Sequence, residues 1–152
     1  MKLSSFTDAK FVDLAMKPGD KESVIREAVR LLDRSRRVAD SRAFLEDVLE
    51  RERLVTTGVG YGVAFPHAKS EAVTGVVFAF ARTTEGVDFG ALDGHPVRLI
   101  FLIGAPKEQE PSRVYLNLMA RLSFLMKDEG NRERLLSTES VSEVLRLLDS
   151  VK

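Results

Sequence analysis

Two segments that lack a polar face set the strongest limit on how this chain folds. Within residues 73–82, Val76, Phe78 and Phe80 fall on one side of an extended strand, with Val77, Ala79 and Ala81 on the other. Residues 97–103 repeat the pattern apart from Arg98, and end at Gly104-Ala105-Pro106. A strand with water on one face alternates apolar and polar residues; one that is apolar on both faces has to be covered twice. Helical patterns supply the covers. Asp20 precedes a stripe of Val24, Ile25, Ala28, Val29, Leu31 and Leu32, and a second helix is expected from Asp40 or Ser41, with Phe44, Leu45, Val48 and Leu49 inward. Between the strands, residues 83–96 read as a connection carrying a short strand around Val87 and Phe89. Pro111-Ser112 then opens a helix bearing Tyr115, Leu118, Met119, Leu122, Leu125 and Met126, which Gly130 is expected to break before a short helix over residues 132–136. Ser140-Val141-Ser142-Glu143 reads as a capping box ahead of Val144, Leu145 and Leu148. Helices on both sides of doubly buried strands give a three-layer α/β/α architecture.

At 152 residues, the chain suits one domain over residues 1–152. A domain of that size buries roughly two-thirds of the surface its unfolded chain exposes. The 23 basic and 23 acidic residues cancel, so no nucleic-acid partner and no anionic membrane surface is expected. With no cysteine, the sequence offers no disulfide scaffold, thiolate nucleophile or thiolate metal site. The apolar runs at 76–81 and 99–103 are too short to cross a bilayer, and the first residues do not resemble a signal peptide. A soluble, cytoplasmic protein without membrane insertion is expected.

Few residues here can carry chemistry. The two histidines show no HExxH or related spacing, so no metal is expected. No GxxxxGK(S/T) phosphate loop occurs, and the third glycine that a dinucleotide loop needs is replaced by Val63. No cofactor is expected. If residues 57–67 are extended, Gly58, Gly60 and Gly62 form a stripe without side chains, open to a close neighbour such as a strand or a docked partner. His67 follows this stripe and the turn-fixing Pro66. A neutral imidazole is a competent nucleophile near neutrality, its ordinary pKa being about 6.5. Arg51 and Lys69 lie near in sequence as cationic donors for phosphate oxygens. His95, in Asp93-Gly94-His95-Pro96, reads as an exposed turn residue.

Residues 51–69 read R-E-R-L-V-T-T-G-V-G-Y-G-V-A-F-P-H-A-K. This run resembles the hallmark of the fructose/mannitol type of enzyme IIA of the bacterial phosphotransferase system. Further resemblance lies in residues 93–101 and 115–128. The resemblance implies a central mixed sheet and a phosphoryl-carrier function. It implies that His67 accepts a phosphoryl group through Nε2 from a histidine-containing phosphocarrier protein, with Nδ1 held by a backbone carbonyl, and that Arg51 steadies the group. The family carries a second histidine at the start of an H-L-x-x-L helix, and the matching residue here is Tyr115, which leaves the assisting role open. Because the chain carries no enzyme IIB cysteine and no membrane domain, a nitrogen-regulatory form that reports its phosphorylation state to target proteins is expected first. A sugar-transport enzyme IIA donating to an enzyme IIB cysteine, and a binding module that kept the fold without the transfer, are the alternatives.

Overall fold

The structure is a computed structural model and describes residues 2–107 and 113–150. The Pro111-Ser112 helix opening lies outside those residues. Among the described residues six strands form one sheet: β1 (Val12–Met16), β2 (Gly58–Gly60), β3 (Val63–Ala64), β4 (His67–Ser70), β5 (Val77–Val87) and β6 (Val97–Pro106). Their order is β1-β5-β6-β3-β2, with β4 also paired to β6. The β5–β6 and β2–β3 pairs are antiparallel, whereas β1–β5, β3–β6 and β4–β6 are parallel, so the sheet is mixed as expected.

The five α-helices described are α1 (Lys21–Leu31), α2 (Ser41–Leu54), α3 (Arg113–Lys127), α4 (Glu129–Ser137) and α5 (Val141–Leu148). The two-faced strands do what their pattern demands. Val77, Ala79, Ala81, Ile100 and Leu102 face a core made with Val24, Ile25, Ala28 and Val29 of α1 and Phe44 and Val48 of α2. Phe78, Phe80, Leu99, Phe101 and Ile103 face a second core, covered by Leu118, Leu122, Leu135, Val144 and Leu148 of α3, α4 and α5. This is the three-layer α/β/α arrangement. Side-chain caps define four helix starts: Asp20, Asp40, Asp128 and Ser140 each accept a hydrogen bond from the amide three residues on.

The structure corrects several boundaries. Val73 is not part of β5 but makes an isolated bridge to Val38, and the strand begins at Val77 after the Thr74-Gly75 bend. β5 instead continues to Val87 through exposed Thr84, Glu85 and Gly86, where no apolar pattern marks it. β6 runs on to Pro106 because β4 pairs along it. Gly130 does not end α3. The break falls at Asp128, whose carboxylate accepts from the Asn131 backbone amide, while the Asn131 side-chain Nδ2 donates to the Leu125 carbonyl. In the capping box, Ser140 caps Glu143 as expected. The Glu143 carboxylate, however, accepts from Thr138 Oγ1, which in turn accepts from the Ser140 amide.

The glycine segment is also not one extended stripe. It folds into the β2–β3 hairpin, with Gly60 opposite Val63 and positive φ at both Tyr61 (60°) and Gly62 (77°), the combination of a two-residue type I′ turn. Close approach survives at Gly58, where a Cβ would lie 2.9 Å from the Ala91 Cβ, and at Gly60, where it would lie 3.2 Å from the Asp93 carboxylate.

Arg82 ties the layers together. It is 5% exposed. Its Nε donates to the Leu14 carbonyl at 2.9 Å and its Nη1 to the carbonyls of Leu135 and Thr138 at 3.0 and 2.6 Å. Nη2 meets the Glu139 carboxylate at 3.2 Å. One guanidinium thus joins β1, β5 and the end of α4. We expect Arg82→Met to leave these carbonyls unpaired and to lower unfolding stability by about 2–4 kcal/mol. Urea denaturation measures this, and a loss below about 0.5 kcal/mol would contradict the role.

Candidate functional site

The path from α2 to His67 is held at both ends. Glu52, on the last turn of α2, is buried; its carboxylate accepts from the Thr57 amide and hydroxyl at 2.8 and 2.6 Å and pairs with Lys21 at 2.7 Å. Lys21 Nζ and Thr56 Oγ1 both donate to the Phe89 carbonyl, at 3.0 and 2.6 Å. The chain leaving α2 is thereby fixed before it enters the hairpin. Beyond the hairpin, β3 and β4 lie on the same edge of β6, and one residue offset persists from Val63–Leu99 to Ser70–Pro106. The two are in effect a single strand interrupted at Phe65-Pro66. Proline lacks an amide hydrogen, yet its carbonyl keeps the ladder by accepting from the Ile103 amide at 3.0 Å. The Phe65 ring packs on Phe101, centroids 5.6 Å apart, which anchors the residue before the proline in the core.

His67 opens β4 and is half-buried. Its Nδ1 lies 2.6 Å from the Phe65 carbonyl oxygen. A carbonyl can only accept, so Nδ1 carries the hydrogen and Nε2 keeps the lone pair. The Nδ1–carbonyl contact implied by the resemblance is present. Burial is the main cause that lowers the His67 pKa below 6.5. The Arg51 charge lowers it further, against the opposing pull of the Phe65 carbonyl and Glu52. The ring is therefore neutral at pH 7.

A cleft of about 360 Å³ is lined by His67, Ala68 and Lys69 of β4, by Asp47, Glu50, Arg51 and Leu54 of α2, and by Tyr115 of α3. Arg51, His67, Lys69 and Tyr115, all singled out in the sequence, thus share one cleft. Arg51 is half-buried, and its Nη1 donates to the Val55 carbonyl at 3.1 Å, closing the end of its own helix. Tyr115 is 5% exposed, with its ring centroid 6.1 Å from that of His67 and 57° between the planes. Burial pushes its phenol well above the ordinary 10, against a smaller opposing effect of Arg51, so the hydroxyl stays neutral. His95 is exposed, its amide donating to the Asp93 carboxylate at 3.0 Å, and it does not line the cleft.

Sequence reasoning missed Asp47, Glu50 and Leu54, although the helical period from Arg51 puts all three on or near its face. It also gave no role to Glu52, whose buried pairing with Lys21 depends on how α1 meets α2. Among the described residues, no helix is long and apolar enough to cross a membrane.

Sequence and fold together place the chain among phosphoryl-carrier proteins. The chain belongs to the family described as phosphoenolpyruvate-dependent sugar phosphotransferase system, EIIA 2, whose match spans residues 5–151. It is 38% identical over 149 residues to the PTS system fructose-specific EIIA component of Haloferax volcanii, covering 98% of this chain and 96% of that protein. It is 35% identical over 149 residues to the fructose-specific EIIABC component of Bacillus subtilis, of which it spans only 23% of the length. The crystal structure of nitrogen regulatory protein IIA-Ntr from Neisseria meningitidis matches with a TM-score of 0.89 and 32% identity, over 96% of this chain and 98% of that one. Enzyme IIA mannitol of Escherichia coli, in its complex with phosphorylated enzyme IIB mannitol, matches with a TM-score of 0.80 and 31% identity, over 94% and 96%. The chain is thus a component of a phosphotransfer relay.

The lowered His67 pKa has a consequence for stability. The unfolded chain takes up its histidine proton near pH 6.5, while the folded chain resists until lower pH. Stability owed to the neutral ring is complete above that value and is lost as pH falls toward the lowered folded pKa. Titrated by NMR, the His67 ring should show an inflection below 6.5. His67→Gln should flatten the dependence of the urea midpoint on pH as pH falls through 6.5. An inflection above 6.5 would contradict the assignment.

Proposed function

We propose that His67 is the phosphoryl acceptor of this relay component and that a histidine-containing phosphocarrier protein is its donor. The observation that carries the reading is the Nδ1 hydrogen bond to the Phe65 carbonyl, because it leaves the nucleophilic lone pair on Nε2 of a cleft residue. In the transfer, the Nε2 lone pair forms the new N–P bond. The P–N bond to the carrier's histidine breaks, and its electron pair returns to that imidazole. Positive charge then develops on the His67 ring, where the Nδ1–H is already held by a carbonyl oxygen. Arg51 supplies charge-assisted N–H donors to the phosphoryl oxygens from the same cleft. Tyr115 offers a neutral O–H in place of a second histidine.

Downstream, the phosphorylated chain reports its state to target proteins in the manner of the nitrogen-regulatory form, acting in the cytoplasm as a single domain over residues 1–152. Its similarity to IIA-Ntr supports this reading. A second reading, donation to an enzyme IIB cysteine, is favoured by its similarity to an enzyme IIA found in complex with phosphorylated IIB and to a fructose-specific EIIA.

Incubation with phosphoenolpyruvate, enzyme I and the phosphocarrier should add one phosphoryl mass to the wild-type chain and to His95→Ala, and none to His67→Ala. Labelled His67→Ala with unlabelled His95→Ala would sink the acceptor assignment. Arg51→Ala should transfer about 10²–10³ slower while melting nearly as the wild type does. Unchanged kinetics with a large fall in Tm would mark Arg51 as structural instead. Adding a fructose-type enzyme IIB to the phosphorylated chain separates the two outputs, since only the second reading expects loss of the phosphate to it.

A further inference from the structure

We propose that Lys69 is the second cation on the transferred phosphoryl group and that the Tyr115 ring holds it there, an inference that rests on His67 being the acceptor. Along β4, His67 and Lys69 are two residues apart, so the pleat places both on the same face of the strand. The intervening Ala68 is buried in the opposite core. Both residues line the cleft, together with Arg51 and Tyr115. Lys69 is exposed and makes no ion pair among the described residues, yet its Nζ lies over the Tyr115 ring, 5.9 Å from the centroid. A cation within about 6 Å of a ring face is attracted by the ring quadrupole. That ring is well anchored: Tyr115 is 5% exposed and belongs to the core containing Phe65, Leu118 and Leu122.

Charge gives the arrangement its purpose. A transferred phosphoryl group carries close to two negative charges. Of the cleft's two cations, Arg51 already commits one Nη to the Val55 carbonyl. The carboxylates of Asp47 and Glu50 line the same cleft and oppose incoming phosphate. A neutral phenol adds no charge of its own, but its π face can station a lysine beside the imidazole. Tyr115 is then a positioning residue through its ring, separate from any contribution of its hydroxyl.

The test is phosphoryl transfer from the phosphocarrier to the full chain, following both the rate and the equilibrium fraction labelled at His67. Lys69→Met is expected to slow transfer about 10- to 100-fold and to lower the labelled fraction, with its melting curve unchanged. Lys69→Arg should restore the rate to within a few-fold, because the charge and the stacking on the ring both remain. Tyr115→Leu should lose at least as much as Lys69→Met, and the double variant no more than Tyr115→Leu alone. Tyr115→Phe keeps the ring and loses only the hydroxyl, so it should slow transfer clearly less than Tyr115→Leu does. If the wild type takes no phosphate at His67, the acceptor reading falls and this inference with it. A labelled wild type with an equally fast Lys69→Met overturns the lysine alone. Additive losses in the double variant, or a Tyr115→Phe as slow as Tyr115→Leu, overturn the ring as its support.

Discussion

The antiparallel pairing of β5 with β6 is the constraint on which the rest of the molecule depends. Seven residue pairs, from Val77–Gly104 to Val87–Val97, join two strands whose faces are both apolar. Neither face can be left to water, so the chain has to supply helices to each. It does so in two batches, α1 and α2 from before the strands and α3 to α5 from after them. The sheet edges are then decided by what remains. β1 adds in parallel to β5, and the interrupted β3–β4 strand adds in parallel to β6.

The cleft is a by-product of that edge. Because β4 lies along the end of β6, the start of β4 sits between the C-terminal turn of α2 on one layer and α3 on the other. An imidazole there gains a guanidinium from one layer and an aromatic ring from the other. Its half-burial is what keeps it neutral, and the interruption at Phe65-Pro66 is what turns the Phe65 carbonyl toward Nδ1. Strand pairing, tautomer and charge state are thus linked through three consecutive residues.

Two buried charged groups away from His67 keep this geometry in register. Glu52 clamps the exit of α2 by binding Thr57 and Lys21, and Arg82 clamps the far edge by binding the Leu14, Leu135 and Thr138 carbonyls. Buried charges are costly to desolvate and persist where their hydrogen-bonding groups are met. Here both bridge elements that are distant in sequence, so each is a long-range tie with a geometric requirement.

The sequence by itself determined the layers, the two-faced strands and the candidate residues that share the cleft. Period-2 and period-3.6 patterns are local, and the motif around His67 is contiguous through Arg51. Helix starts at Asp20, Asp40 and Ser140 were legible for the same reason, since a cap acts over three residues. The hairpin at Tyr61-Gly62 was not, because alternating glycines fit an extended strand as well as a turn until Gly60 is seen to pair with Val63. Nor were the polar end of β5, the continuation of β6, the pairing of Glu52 with Lys21, or the seat of Lys69 over Tyr115. Each of these depends on contact between segments far apart in the chain, whose relative placement follows from packing two cores against one sheet and from no local preference of the residues involved.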